Sequence, residues 1–249
     1  PDARETGILE ELLLENRKRN PNNSFSILDT VMWEKVRFQE GLDLFLNTHM
    51  YHVEVDNNKI VSIHAIQLTS EKEFAFEANI FMDATGDGTL ADLSGAEYLR
   101  GREGKNVFGE QYAPGESDNV TMGNTLLFKA VDSGKPAPFT KPYWANVYNE
   151  EDLAYRGHSE ITSGYWWIEL GGEELDVIAD GEELRDELLK AVYGVWDHIK
   201  NSGHHEANNY VLDWVGFLPG KRESRRITGD YILKEQDCLG GTIFEDAVA

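Results

Sequence analysis

Only Asn57 and Asn58 separate two segments of alternating apolar and polar residues, 49–56 (HMYHVEVD) and 59–68 (KIVSIHAIQL). A connection this short leaves an antiparallel hairpin as the pairing, because parallel strands need a crossover of about a dozen residues or more. Asparagine suits the turn, since its short polar side chain tolerates the positive φ that tight hairpin turns demand. A third segment, about 73–78, follows the polar turn Thr69 to Lys72. The three together predict an antiparallel meander.

Upstream of it the apolar period is helical. Ile8, Leu9, Leu12 and Leu13 share one face, Asp2 with Glu5 resembles a capping box, and Lys18 and Arg19 suit the negative end before Pro21. A second helix is expected with Ser26 and Asp29 as its cap, Val31, Met32 and Val36 inside, and Gly41 just past its end. Leu42, Leu44 and Leu46 then alternate as a short strand. Downstream of the meander, a short apolar strand, Ile80 to Met82, runs into the turn Ala84-Thr85-Gly86-Asp87-Gly88, and Leu90, Leu93 and Ala96 follow at helical spacing. Strand, Gly-bearing turn and helix can bring backbone N–H groups up to a ligand phosphate or ribose. The same order of elements also occurs as a plain structural connection.

The Gly- and charge-rich stretch 101–119 reads as a boundary loop. Beyond it the pattern predicts a strand over 125–131, a Pro-rich connector, an aromatic strand over 164–170 and a strand over 210–218. Between the last two, Asp180 with Glu183 caps a helix that buries Leu184, Leu188, Val192, Val195 and Ile199.

The chain carries 23 Lys and Arg against 45 Asp and Glu, a net charge of -22 over 249 residues. Such a surface repels nucleic acid and anionic lipid, so neither is an expected partner. No apolar run approaches the roughly 20 residues that span a bilayer, and the chain reads as a soluble globular protein. Cys238 is the single cysteine, which rules out an internal disulfide and a Cys-based zinc site and reads as a small semi-buried residue. His204-His205 has no third ligand in spacing and reads as a loop, and His198 as a residue satisfying its helix end, so the sequence assigns no metal site. The opening lacks a signal peptide's basic start and apolar stretch. Pro1 in place of Met and the ending DAVA read as the edges of a piece of a longer chain. Acidity and the lone cysteine are compatible with the cytoplasm, and compartment and oligomeric state stay open.

Four segments carry a resemblance: DATGDGTLADLSGAEYLRGRE (83–103), GYWWIELGG (164–172), LRDELLKAVYGVWDHIKN (184–201) and LPGKRESRRITGDYIL (218–233). Together they resemble the FAD-dependent oxidoreductase family of the glutathione-reductase-type flavoproteins, related to FAD-binding proteins of bacterial polysaccharide loci. The resemblance implies an α/β fold: a partial Rossmann-type FAD-binding domain over 1–98, an inserted α+β substrate domain over 99–227, and a return to the first domain over 228–249. It implies FAD as cofactor. Main-chain groups of Met50 would meet adenine, and Ala84, Thr85, Gly86, Asp87 and Gly88 the pyrophosphate–ribityl stretch. It implies hydride transfer between a small organic substrate and flavin. The family's G-x-G-x-x-G fingerprint does not occur in this sequence, so this piece alone is expected to bind FAD weakly or not at all.

On the substrate side, the run Lys221-Arg222-Glu223-Ser224-Arg225-Arg226 stands out in an acidic chain. Arg222 and Arg225 would clamp a carboxylate or phosphate with paired hydrogen bonds, and would share a face if the stretch were helical. The alternative is an ion-pair network with Glu223 and neighbouring acids. Of Tyr165, Trp166 and Trp167, at least one Trp belongs to the core, and Trp166 is the candidate to line a substrate pocket. No residue is assigned as catalytic acid or base. A different class stays open, a non-catalytic carbohydrate-binding or accessory module of a polysaccharide-degrading protein, since Trp and Tyr faces flanked by carboxylates suit sugars. The Gly-bearing turn after the meander favours the flavin reading, because a sugar-binding module has no need of it.

Overall fold

The computed structural model describes residues 6–162 and 164–245, and the expected Asp2–Glu5 capping box lies outside them. The fold is mixed α/β with small antiparallel sheets, and the chain divides into two compact units at Asn79 and Ile80.

The first unit starts with two helices, α1 (Gly7–Arg19) and α2 (Phe25–Arg37). Asn20 ends α1 directly before Pro21, and its side chain bridges Asn16 and Ser24 to fix the corner. A bidentate pair of Arg19 with Glu34, at 2.5 and 3.1 Å, and an ion pair of Lys35 with Glu11 at 2.9 Å tie the helices together. Ser24, not Ser26, precedes α2, and α2 stops at Arg37, short of Gly41. The meander follows as β1 (Thr48–Asp56), β2 (Lys59–Gln67) and β3 (Lys72–Glu77), in spatial order β1-β2-β3. Asn57 and Asn58 both take positive φ, +49° and +60°, as the two-residue turn requires.

The strand expected over Leu42 to Leu46 does not form. Phe45 instead lays its ring edge-on against Phe74 and Phe76 of β3, with centroids 5.3 and 5.0 Å away. The Leu46 carbonyl accepts from Gln67 and Thr48 side chains rather than from a strand ladder. The side chain that meets the sheet is thus not one of the alternating leucines, of which Leu42 and Leu46 stay exposed.

The second unit holds α3 (Thr89–Ser94), β4 (Tyr98–Leu99), α4 (Lys105–Phe108), β5 (Asn124–Thr125), β6 (Phe128–Asp132), β7 (Glu169–Leu170), α5 (Gly181–Asn201), β8 (Tyr210–Val215), β9 (Arg226–Ile227) and α6 (Glu235–Gly240). Its strands pair as three antiparallel ribbons, β4 with β9, β5 with β7 and β6 with β8. No parallel sheet of Rossmann type occurs among the described residues. Ile80 to Met82 forms no strand, and Ile80 and Met82 stand 85% and 86% exposed. An apolar run shows that a segment gains from cover. It does not show what covers it.

The core of this unit is built on α5. Leu184, Leu188, Val192, Val195 and Ile199 are all buried, as their spacing predicts, and Trp196 joins them. All but Leu184 belong to one cluster with Leu126, Phe128, Ala130, Leu153 and Ile168. Asp180 precedes α5 without capping it, because its carboxylate accepts from the Asp176 amide at 2.7 Å. The aromatic strand shrinks to β7, with Tyr165 buried, Trp167 stacked on it and Trp166 turned outward. No helix among the described residues is long and apolar enough to cross a membrane.

Candidate functional site

The turn after Met82 owes its shape to two glycines. Gly86 and Gly88 take φ of +83° and +65°, where an L side chain is strained. Gly88 also lies against Ile227, whose Cδ1 would be 2.8 Å from an added Cβ. At Gly86 the same position is open, with nothing within 4 Å. Among the described residues the amides of Gly86, Asp87 and Gly88 have no hydrogen-bond acceptor. Successive free amides in a turn with left-handed residues on either side of Asp87 can form a concavity that suits a ligand oxygen.

The start of α3 offers no such opening. Asp83 accepts from the Thr85 amide and hydroxyl on one oxygen and from the Ala91 amide on the other, and the Thr85 hydroxyl accepts from Thr89. The carboxylate thus already supplies the negative charge that a phosphate was expected to bring there. Partial burial pushes the Asp83 carboxyl up, but the bonds from Thr85 and Ala91 outweigh it and hold it below the usual range.

A depressed carboxyl stabilises the fold above its unfolded value, near about 3.9, and that gain disappears as pH falls through the folded value. Asp83→Ala should therefore cost about 1 kcal/mol at pH 7, the usual worth of a cap. The gap to the unaltered protein should close as the pH falls below 4. Urea midpoints at both pH values check this, and a gap that does not change with pH would show that Asp83 acts without its charge.

The basic run closes over the turn. Lys221 Nζ reaches one Asp87 oxygen at 2.6 Å, and the buried Ser224 hydroxyl donates to the other at 2.7 Å. Arg225 donates to the Asp87 carbonyl at 3.1 Å, pairs with Asp92 at 2.9 Å and lies over the Tyr98 ring. Arg226 joins Glu103 and Glu223, both at 2.5 Å, and donates to the Gly101 carbonyl at 2.7 Å. The stretch is irregular up to β9, not helical, so Arg222 and Arg225 do not share a helix face. Arg222 alone among the four cations of the run is exposed with no ion pair to a described residue. Trp166 is 64% exposed. Met50 lies in the first unit, half-buried on β1, which is an edge strand of the meander.

A family model of FAD-dependent oxidoreductases matches residues 2–249. The chain belongs to the FAD-dependent oxidoreductase family. No curated protein and no solved structure is significantly similar to it. In this family member the fit of FAD is testable at the turn. The open space at Gly86 and three free amides suit a ligand oxygen, whereas the start of α3 does not.

A second constellation lies elsewhere in the second unit of this family member. His158, His198, His205 and Glu150 bring one ligand atom each to within 4.8 Å of one another. Glu150 Oε1 lies 3.1 Å from His198 Nε2 and 3.7 Å from His205 Nε2, and Oε2 lies 3.3 Å from His158 Nε2. Partial burial pushes the Glu150 carboxyl up, but the His198 hydrogen bond and the surrounding imidazoles hold it below the usual range. Burial, then His158 and His198, push His205 down. Sequence reasoning weighs the adjacent His204-His205 pair and His198 separately and assigns no metal site to either. Of the partner histidines of His205, His198 lies on the preceding helix and His158 far upstream, at no motif spacing.

Proposed function

We propose that the protein is an FAD-dependent oxidoreductase acting on a small organic substrate, and that Ala84 to Gly88 approach the pyrophosphate–ribityl part of the cofactor. When bound, FAD supplies two-electron chemistry, with hydride passing between a substrate carbon and flavin N5. The observation that carries the reading is the open, amide-lined turn at Gly86 inside a chain matched by the family model over residues 2–249. The β1–β3 meander and this turn are taken as parts of a Rossmann-type flavin domain, and residues of about 99–227 as the substrate domain.

Each residue has its own task in this reading. Met50 offers main-chain groups to adenine from an edge strand, whose outer N–H and C=O groups no described strand uses. Lys221, Ser224 and Arg225 hold Asp87 and so fix the turn. That commitment leaves Arg222, with its free guanidinium, as the better anchor for a substrate carboxylate or phosphate. Trp166 adds an exposed aromatic face.

The test is the visible spectrum of the full-length protein purified without added cofactor. Flavin bands near about 370 and 450 nm, released as free FAD on denaturation, are the expected result. In the flavin-loaded protein, small carboxylates and phosphates should perturb those bands, and should do so less in Arg222→Ala. A protein that stays colourless after FAD is added overturns the reading and moves the carbohydrate-binding alternative to first place.

A further inference from the structure

We propose that Glu150, His158, His198 and His205 form a structural metal site that holds one divalent transition ion, zinc by the chemistry of its ligands. Three of the four residues come from irregular backbone: Glu150 from a turn, His158 and His205 from loops, with only His198 on α5. Loops seldom aim four such side chains at one point without a reason, and here each is held in place.

Glu150 is set by Asn149, whose side-chain oxygen accepts from the amides of Glu151 and Asp152. His158 directs Nδ1 at the Arg156 carbonyl, and His198 directs Nδ1 at the Tyr148 carbonyl, 3.2 Å away. An imidazole whose Nδ1–H donates to a carbonyl carries its lone pair on Nε2, and in both residues Nε2 faces Glu150. The loop that carries His205 is tied to α5 by Lys200, whose ammonium donates to the carbonyls of Ala207, Asn208 and Tyr210 at 2.7, 3.0 and 2.9 Å.

The ring spacing and the carboxylate distances fit coordination number four, and the ligand atoms, which lie within 4.8 Å of one another, would draw together on the ion. With a metal–nitrogen bond of about 2.1 Å and the ring centre about 1.1 Å beyond Nε2, two imidazoles at the tetrahedral angle have centroids about 5.2 Å apart. At the right angle of an octahedral site the same distance is about 4.5 Å. The three pairs stand 5.1, 5.0 and 5.3 Å apart, with ring planes inclined by 70°, 64° and 71°. Tetrahedral ligand atoms should lie about 3.4 Å from each other, and the three nitrogens stand 3.1, 3.3 and 3.7 Å from the carboxylate. Three imidazoles with one carboxylate in this geometry favour zinc over magnesium or calcium, which take oxygen ligands in larger number.

A second observation is independent of the spacing. His205 Nε2 is buried and has no hydrogen-bond partner. A buried unpaired ring nitrogen is costly, and an ion at the centre of the cluster would satisfy it. The nitrogens lie inside, with side-chain exposures of 2% and 11%, and the carboxylate closes the rim at 43%. All four positions come from the protein, which is the arrangement of a structural site. The ion would fasten the 148–158 segment and the 202–210 loop to the end of α5.

The test uses the full chain without a polyhistidine tag, stripped by a chelator and then titrated with zinc and with cobalt(II). One equivalent of zinc should bind and raise the midpoint of thermal unfolding. Cobalt(II) should give the intense visible bands of a four-coordinate ion. His205→Ala should weaken zinc binding by more than the roughly 10–100-fold that loss of an outer hydrogen-bond partner costs, while His204→Ala, one residue away, should not. His205→Cys should keep the ion and add a thiolate-to-cobalt absorption, a signal that a purely packing role for His205 would not produce. Zinc binding no tighter in the unaltered chain than in His205→Ala, or the weak spectrum of octahedral cobalt, would show a hydrogen-bonded cluster without a metal and overturn the proposal.

Discussion

Trp196→Ala should cost about 3–5 kcal/mol, the range for emptying a large buried aromatic site. Trp196 is 1% exposed, and its ring meets Phe128 edge-on at 5.5 Å and Phe139 at 6.4 Å. It stands where α5 faces β6, so its loss opens a cavity bounded by the helix and the strand together. A domain stabilised by about 5–15 kcal/mol loses a large part of its margin to such a change. The effect reaches the histidine cluster as well, because His198 is carried two residues further along α5. Trp166→Ala is the matched control. That ring is 64% exposed, and its removal should stay within about 0.5 kcal/mol. Urea midpoints of the two variants decide it: equal losses would mean that α5 does not organise the second unit.

The contrast between the two tryptophans also shows what the sequence can and cannot say. Helical spacing marked Leu184, Leu188, Val192, Val195 and Ile199 as one face, and the face is buried. Trp196 adjoins that stripe but was not needed to define it. In the 164–170 segment, alternation predicted a strand that would sort Trp166 from Trp167. The segment pairs only at Glu169 and Leu170, and alternation fails within it: Trp166 turns outward while Ile168, two residues on, turns inward with Tyr165. The meander was legible because Asn57-Asn58 leaves one solution for its neighbours. Leu42 to Leu46 and Ile80 to Met82 were not, because short apolar runs state a need for burial and leave the partner open.

Site residues divide the same way. The Ala84 to Gly88 turn was visible because glycine at fixed positions reports backbone conformation directly. The latch on Asp87 was visible only as an excess of cations, and which of them it engages depends on contacts more than 130 positions apart in the chain. Substrate clamp and ion-pair network divide the run between them: Lys221, Arg225 and Arg226 bind acids of the protein, and Arg222 pairs with none among the described residues. The histidine cluster left no local trace, since each of its loops carries one histidine or an uninformative pair.

Gly101→Ala should be almost as damaging as the loss of Trp196, although it adds one methyl group to a loop. Gly101 holds φ at +74°, and an added Cβ would fall 2.1 Å from the Asp118 carbonyl oxygen and 2.6 Å from Asn119 Cα. Both obstacles are backbone, so no side chain can swing aside. The left-handed conformation costs a residue with a side chain about 1–2 kcal/mol, and overpacking adds about 1–3 kcal/mol. The sum, about 2–5 kcal/mol, falls on a junction. Arg102 and Asp118 exchange two backbone hydrogen bonds of 3.0 Å beside it, reinforced by their own ion pair at 2.6 Å. The Gly101 carbonyl also receives Arg226, which holds Glu103 and Glu223. Pushing the two segments apart should therefore loosen the basic run that closes over Asp87. Faster proteolysis near residues 221–226 should accompany the lower urea midpoint. Gly115→Ala is the control, with a negative φ and nothing within 4 Å of an added Cβ. If the two variants are equally stable, the close approach at Gly101 does not hold the latch.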